Sequence, residues 1–273
     1  MSALATATPW LACPVCRGSL SLKDRAVACE DGHSFDVARQ GYVNLLRHGA
    51  PANADTAAMV AARDRFLSAG HYDPITSAVA AAVPDARRLL EVGAGTGHHL
   101  AAVLDRLPAA AGVAADVSVP ACRRAARAHP RMASVVADTW AGLPLADASV
   151  DAVLCIFAPR NPAEFARVLR PGGVAVVVVP AQEHLRELRR THALLQIGDG
   201  KVERLTTSAL GHLESGTATD VAYDLDLTGE EVADLIAMGP NAFHTRDRGD
   251  TSMGGAIVRV SVTCAVLRAP ATT

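Results

Sequence analysis

Cys13, Cys16, Cys29 and His33 lie in the segment CPVCRGSLSLKDRAVACEDGH as C-x2-C, twelve residues, then C-x3-H. Two close pairs separated by a loop let four ligands converge tetrahedrally, the arrangement zinc prefers. Thiolates and a neutral imidazole bind zinc far better than magnesium or calcium. Four protein ligands leave no open position, so the expected site is structural. Turn formers in CEDGH supply the bend that the second pair needs. A redox C-x-x-C is the weaker alternative, because no thioredoxin-like strand precedes it. The bland alternative is three free cysteines beside a surface histidine.

A second constellation lies in LLEVGAGTGHHL, where Glu91, Gly93, Gly95 and Gly97 mark the passage from a strand to a helix. Glycines there permit positive φ and let a ligand lie against bare backbone. A dinucleotide loop needs G-x-G-x-x-G, and counting from Gly93 puts His98 in the third glycine's place. The spacing is instead E-x-G-x-G-x-G, which suits S-adenosylmethionine, a cofactor without phosphate. Asp116 ends the next apolar run, 21 residues after Gly95, where a carboxylate accepts from both ribose hydroxyls. Asp138, at the end of the run after that, is placed to meet the adenine amino group. Either aspartate alone reads equally as a turn or N-cap residue. At the ends of successive strands, a shared site is the stronger reading.

The surrounding elements must hold these groups in place. Residues 1–50 carry the cysteine and histidine cluster, are rich in turn formers, and are too few to bury a core without a metal. They form the expected zinc-binding module. RHGAPANAD is a polar stretch joining it to a helix over DTAAMVAARDRFLSAG, with Met59, Phe66 and Leu67 on one face and an end near Gly70. Residues 51–84 are read as a helical linker. From residue 85 to 273, short apolar runs alternate with helix-like stretches: RLLEVGAG, GVAADV, SVVADT, DAVLCIFA and VAVVVVP. That alternation predicts a parallel sheet covered on both faces. TATDVAYDLDL and GAIVRVSVTCAVL alternate more strictly and predict an antiparallel pair flanking GEEVADLIAMGP. The expected class is α/β, a Rossmann-like seven-stranded sheet with the class I methyltransferase layout. Ligands of such sheets sit beyond the carboxyl ends of the strands, where strand order reverses. Glu91, Asp116, Asp138 and the FAPR segment, Phe157 to Arg160, all fall there.

The 273 residues are 50% hydrophobic and 20% charged, which excludes a disordered chain. No apolar run approaches the length of a membrane span, and MSALATATPW lacks the charged region of a secretory leader. Six cysteines are too few for a disulfide scaffold of this length. A reduced, cytoplasmic protein is expected. Cys122, Cys155 and Cys264 sit in apolar runs and are expected to be packing residues. A net charge of −2 argues mildly against a general polyanion binder, although CRRAARAHPR concentrates four arginines without an acid.

Taken together, the chain resembles the RlmA/RrmA family of 23S rRNA guanine-N1 methyltransferases, and particularly its Gram-positive branch, which includes the tylosin-resistance enzyme. CPVC, CEDGHSFDVARQGYVNLL, DRFLSAGHYDPI, EVGAGTGHH, FAPRNPAEFARVLRPGG, QEHLREL and MGPNAFH carry the likeness over nearly the whole chain. The resemblance implies zinc ligands at Cys13, Cys16, Cys29 and His33. It implies S-adenosylmethionine contacts at Tyr72, Gly95, Thr96 and His184. Phe243 stands where relatives commonly have a tryptophan, which implies a base-stacking position. Dimerisation is implied on the same ground.

The reaction that follows is transfer of a methyl group to N1 of a guanine in a 23S rRNA hairpin loop, with macrolide resistance as a possible consequence in this branch. N1 of neutral guanine carries a proton that must leave as the new bond forms. Arg160 either polarises guanine O6, holds a phosphate, or is a surface arginine paired with Glu164 four residues on. No residue is assigned as general base. The competing class is a small-molecule methyltransferase of antibiotic biosynthesis, which would keep both the cofactor loop and the zinc cluster.

Overall fold

The computed structural model describes residues 2–191, 204, 207–239 and 254–271. Helix α1 (Ala3–Ala7) and a 3-10 turn over Thr8–Trp10 lead into three short antiparallel strands, β1 (Ser21–Lys23), β2 (Ala26–Ala28) and β3 (Ser34–Asp36). These form the metal-cluster ribbon. Two helices follow, α2 (Ala57–Ser68) and α3 (Asp73–Ala82). The Thr56 hydroxyl caps α2 by accepting from the Met59 amide. Gly70, at φ +83°, ends the turn after α2, close to the expected boundary.

The expected parallel runs are β5 (Arg88–Val92), β6 (Ala111–Asp116), β7 (Met132–Val136), β8 (Val150–Ile156) and β9 (Leu169–Pro180). Helices α4 (His98–Arg106), α5 (Val119–Ala125), α6 (Pro162–Val168) and α7 (Arg186–Thr191) follow β5, β6, β8 and β9. Every residue of β7 and of β8 is buried, as expected of strands covered on both faces. The antiparallel pair is β10 (Glu214–Leu227) and β11 (Ala256–Arg268), separated by α8 (Gly229–Ala237). Thr228 and Glu231 form a reciprocal capping box at the start of α8.

All seven expected strands are present, and an eighth joins them. β4 (Tyr42–Asn44) leaves the ribbon segment and pairs in parallel with β7, with Val43 opposite Val135. The sheet order is β10-β11-β9-β8-β5-β6-β7-β4. Sequence alone did not separate β4 from the turn-rich metal segment, because three residues are too short to show periodicity.

Successive strand residues point to opposite faces. Leu89, Leu154 and Val176 enter the core under α2, α3, α4 and α8. Leu90, Val153 and Val177 enter the other, which also takes Trp10, Leu11, Leu20, Val27 and Phe165. The ribbon therefore draws its apolar cover from the main sheet. Each fully buried leucine there contributes roughly 1.5–3 kcal/mol, which such a short segment could not gather alone. Cys122, Cys155 and Cys264 are buried as expected. No helix among the described residues is long and apolar enough to cross a membrane.

From β5 the chain moves outward through β6 to β7, then returns to the other flank of β5 as β8. That reversal opens a crevice beyond the carboxyl ends of β5 and β8.

Candidate active site and metal centre

The crevice is a cavity of about 720 Å³. The turn after β5 forms its floor. Gly93 has φ +61°, and a Cβ there would lie 2.4 Å from the Ala158 Cβ. The β5 turn and the β8 turn thus meet with no room for a side chain at residue 93.

Asp116, at the end of β6, accepts the Gly95 amide on one oxygen and the Ser118 amide on the other, both at 2.8 Å. A carboxylate has about four acceptor positions, so capacity remains for two hydroxyl donors. Burial pushes its pKa up, against the two amide bonds that lower it. Glu91 lies deeper and accepts from the Leu100 amide at 3.1 Å. Burial, reinforced by the nearby Asp116 charge, pushes its pKa up to about 8. Asp138 accepts the Trp140 amide at 2.8 Å, holding the start of the next loop.

Tyr72, Glu91, Gly93, Gly95, Asp116 and Asp138 all line the cavity. The structure brings together six residues spread over 67 positions of sequence, from 72 to 138. Thr96, Gly97 and His184 are not among the lining residues. Thr96 is buried, and Gly97 caps α4 in the left-handed region. His184 is buried behind the rim, where its Nδ1 accepts from the Ser261 amide at 3.3 Å. Its ring stacks 5.6 Å from Phe157 and lies 6.4 Å from Tyr72. Arg160 is half-buried and also off the lining. Glu164, the partner in one of the three readings of Arg160, instead bonds Arg167 at 2.7 Å and accepts from the Leu143 amide. The Arg167 bond holds the Glu164 carboxyl below its ordinary range. Phe243 lies outside the described residues.

Several lining residues were not singled out from sequence. Asn53 and Asp55 come from RHGAPANAD, which read only as a polar connector. The Ser118 hydroxyl donates to the Asp55 carbonyl at 2.7 Å, pinning that connector to the cavity wall. Arg63 reaches in from α2, and His98 from α4. Trp140 and Phe157 also line the cavity although they are 65% and 41% exposed, an unusual state for large aromatics. Phe157 adopts φ +54°, which only tertiary constraint imposes on such a residue. No sequence signal marks that backbone state.

In the ribbon, the ligand atoms of Cys13, Cys16, Cys29 and His33 all lie within 4.8 Å of one another. The Cys16 and Cys29 sulfurs are 3.7 Å apart, and the Cys29 sulfur is 3.3 Å from His33 Nδ1. Those spacings match the edges of a tetrahedron with zinc–sulfur bonds of about 2.3 Å and a zinc–nitrogen bond of about 2.0 Å. The Cys13 amide donates to the Gly18 carbonyl at 2.8 Å, and the Cys29 amide to the His33 carbonyl at 3.0 Å, closing both turns. The donor set fits zinc.

The chain matches two family models, the RlmA N-terminal zinc ribbon over residues 11–49 and a methyltransferase domain over residues 89–173. A Streptomyces fradiae protein named 23S rRNA (guanine(748)-N(1))-methyltransferase is 46% identical over 86% of both chains. The chain belongs to the 23S rRNA (guanine-N1)-methyltransferase family. A Micromonospora griseorubida protein with a provisional name in that family is 48% identical over 94% of this chain and 95% of its own. Among solved structures, a Haloferax volcanii methyltransferase solved with its Trm112 activator superposes with a TM-score of 0.55. It is 21% identical over 80% of this chain and 98% of its own, so it speaks for the fold alone. The protein is thus an S-adenosylmethionine-dependent methyltransferase of the Gram-positive branch, carrying an N-terminal zinc ribbon.

Proposed function

We propose that the enzyme methylates N1 of a guanine in a hairpin loop of 23S rRNA. The observation that carries this reading is the likeness, at 46% and 48% identity over ribbon and catalytic domain alike, to one relative named as a 23S rRNA guanine-N1 methyltransferase and a second provisionally so named. Residues 1–50 serve as the zinc module, 51–84 as the helical wall of the cleft, and 85–273 as the methyl-transfer domain. A ribosomal RNA substrate would place the enzyme in the cytoplasm.

Asp116 takes both ribose hydroxyls of the donor, and Asp138 takes the adenine amino group. Gly93 and Gly95 leave the turn bare beneath it, while Thr96 and Gly97 shape the start of α4. Tyr72 walls the methyl-bearing end together with Phe157, whose ring lies 5.9 Å from that of Tyr72 and is backed from outside the cavity by the His184 ring. When bound, S-adenosylmethionine would supply N1 with an electrophilic methyl group on a sulfonium, which leaves as a neutral thioether. The N1 proton must leave in the same event, and in-line positioning would supply most of the acceleration.

A guanine must leave its stack to reach this depth. Exposed Trp140 and Phe157 offer flat apolar faces against which an unstacked base gains roughly 1–3 kcal/mol. Arg160, which follows Phe157 by three residues, is assigned to guanine O6 or a phosphate. Phe243 is assigned to the same substrate side on family resemblance. Cys13, Cys16, Cys29 and His33 hold the zinc, which orders the ribbon for shape and phosphate contacts to the hairpin.

Transfer of labelled methyl from S-adenosylmethionine to unmodified 23S rRNA tests the proposal. A primer-extension stop at one loop guanine is expected, because methylated N1 blocks base pairing. Absence of RNA labelling, with turnover of a small acceptor instead, would replace this reading by the biosynthetic one. The homodimer is a separate part of the proposal and is read from the solution mass by light scattering.

A further inference from the structure

The cavity wall is acid-rich. Its lining carries four carboxyl groups, on Asp55, Glu91, Asp116 and Asp138, and among the described residues a single arginine and no lysine. The donor carries two cations, the sulfonium and the α-ammonium, and one anion, the amino-acid carboxylate. The aspartates suit the cations, Glu91 being kept protonated by its burial, while the anion has one cationic side chain available. Burial holds His98 below its ordinary range and His99 down at about 3, so neither histidine supplies a second cation at neutral pH.

We propose that Arg63 binds the donor's amino-acid carboxylate. This rests on the reading of the cavity as the S-adenosylmethionine site. Arg63 Nη1 lies 2.9 Å from where a Cβ on Gly95 would stand, so the guanidinium sits directly over the bare turn. Its orientation is set from two sides. Nη1 donates to the Asp55 carboxylate, and Nη2 donates to the Met238 carbonyl at 2.6 Å. A guanidinium has five N–H donors in a rigid fork, and those two bonds leave three without a partner among the described residues. Such a fork matches a carboxylate in a way a lysine cannot. It also explains why Gly95 must lack a side chain: a β-carbon there would displace the arginine as well as the ligand.

The rival account makes Arg63 only a strut joining the residue 55 connector to the end of α8. Two ligands that differ solely in the carboxylate separate the accounts: S-adenosylmethionine and its decarboxylated form. Calorimetry on the full zinc-loaded chain should show wild type binding the decarboxylated form about 10- to 100-fold more weakly. Arg63→Met should weaken S-adenosylmethionine by a similar factor and the decarboxylated form by less than about threefold. Arg63→Lys should fall between, keeping charge but losing the fork. Equal weakening of both ligands by Arg63→Met would overturn the proposal in favour of the strut. So would a wild type indifferent to the carboxylate, a comparison that survives even if the variant misfolds. A wild type that binds neither ligand would sink the cofactor reading of the cavity, and this inference with it.

Discussion

The Asp116 carboxylate accepts the Gly95 amide at 2.8 Å, tying the end of β6 to the turn after β5. One side chain thereby shapes the glycine turn and faces the cavity that the turn encloses.

The two roles come apart in substitutions at this position. Asp116→Asn keeps an oxygen for the Gly95 amide but loses the charge that draws two hydroxyl donors. It should stay folded and bind S-adenosylhomocysteine about 10- to 100-fold more weakly. Asp116→Ala should lose binding altogether and also lower the unfolding midpoint, because the turn is released. Calorimetry paired with thermal unfolding measures both. An Asn variant with wild-type affinity would remove Asp116 from the donor site.

Gly93 tests the fit between the two turns. Gly93→Ala places a methyl 2.4 Å from the Ala158 Cβ at φ +61°, and should cost about 1–3 kcal/mol in chemical denaturation. Adding Ala158→Gly removes the steric part and leaves about 1–2 kcal/mol of left-handed backbone strain. If the second substitution recovers nothing, the clash is not the cause.

Glu91 gives stability a pH dependence of defined sign. Its folded pKa of about 8 lies above its ordinary value near 4.5, chiefly because the carboxyl is buried. The folded chain therefore holds the proton more tightly than the unfolded chain. Stability from this group is complete below about pH 4.5 and is lost as pH rises through about 8. Glu91→Gln keeps an acceptor for the Leu100 amide and does not titrate. Without ligand it should exceed wild type in stability at pH 9, by on the order of a few kcal/mol. The gap should close towards pH 5. A gap that is flat with pH would show that Glu91 is ionised in the fold.

Zinc removal should be felt at the cleft. Arg17 follows Cys16 directly, and its guanidinium donates to the Leu143 carbonyl at 2.9 Å and the Leu145 carbonyl at 2.8 Å. Those carbonyls belong to the loop that begins with Asp138 and Trp140. Chelation should therefore lower the unfolding midpoint and weaken donor binding together. Arg17→Ala should retain zinc, lose about 1–3 kcal/mol of stability, and loosen donor binding only modestly. Zinc content measured beside calorimetry checks this. Unchanged donor affinity in the metal-free, folded protein would uncouple the two sites.

Much of this was legible in the residues because it depends on local pattern. The parallel runs are dominated by apolar residues, and each is followed by a turn or a helix-like stretch, so β5 through β9 are legible in order. The metal cluster is legible because chelation needs close pairs. The eighth strand was not, since β4 is three residues long and only β7 makes it a strand. Arg63, Asn53 and Asp55 were equally silent. A polar connector and a helix arginine become a cavity wall only when Ser118 pins the Asp55 carbonyl and α2 lies across Gly95.

By itself, the sequence determined the chemistry on offer: a tetrahedral donor set, a glycine turn and acids at strand ends, all set by spacing along the backbone. The tertiary structure alone decided which groups share the cavity, how high the Glu91 proton is held, and that the ribbon shares the core of the sheet. Those outcomes depend on burial and on contacts between distant segments, and neither quantity exists until the chain has folded.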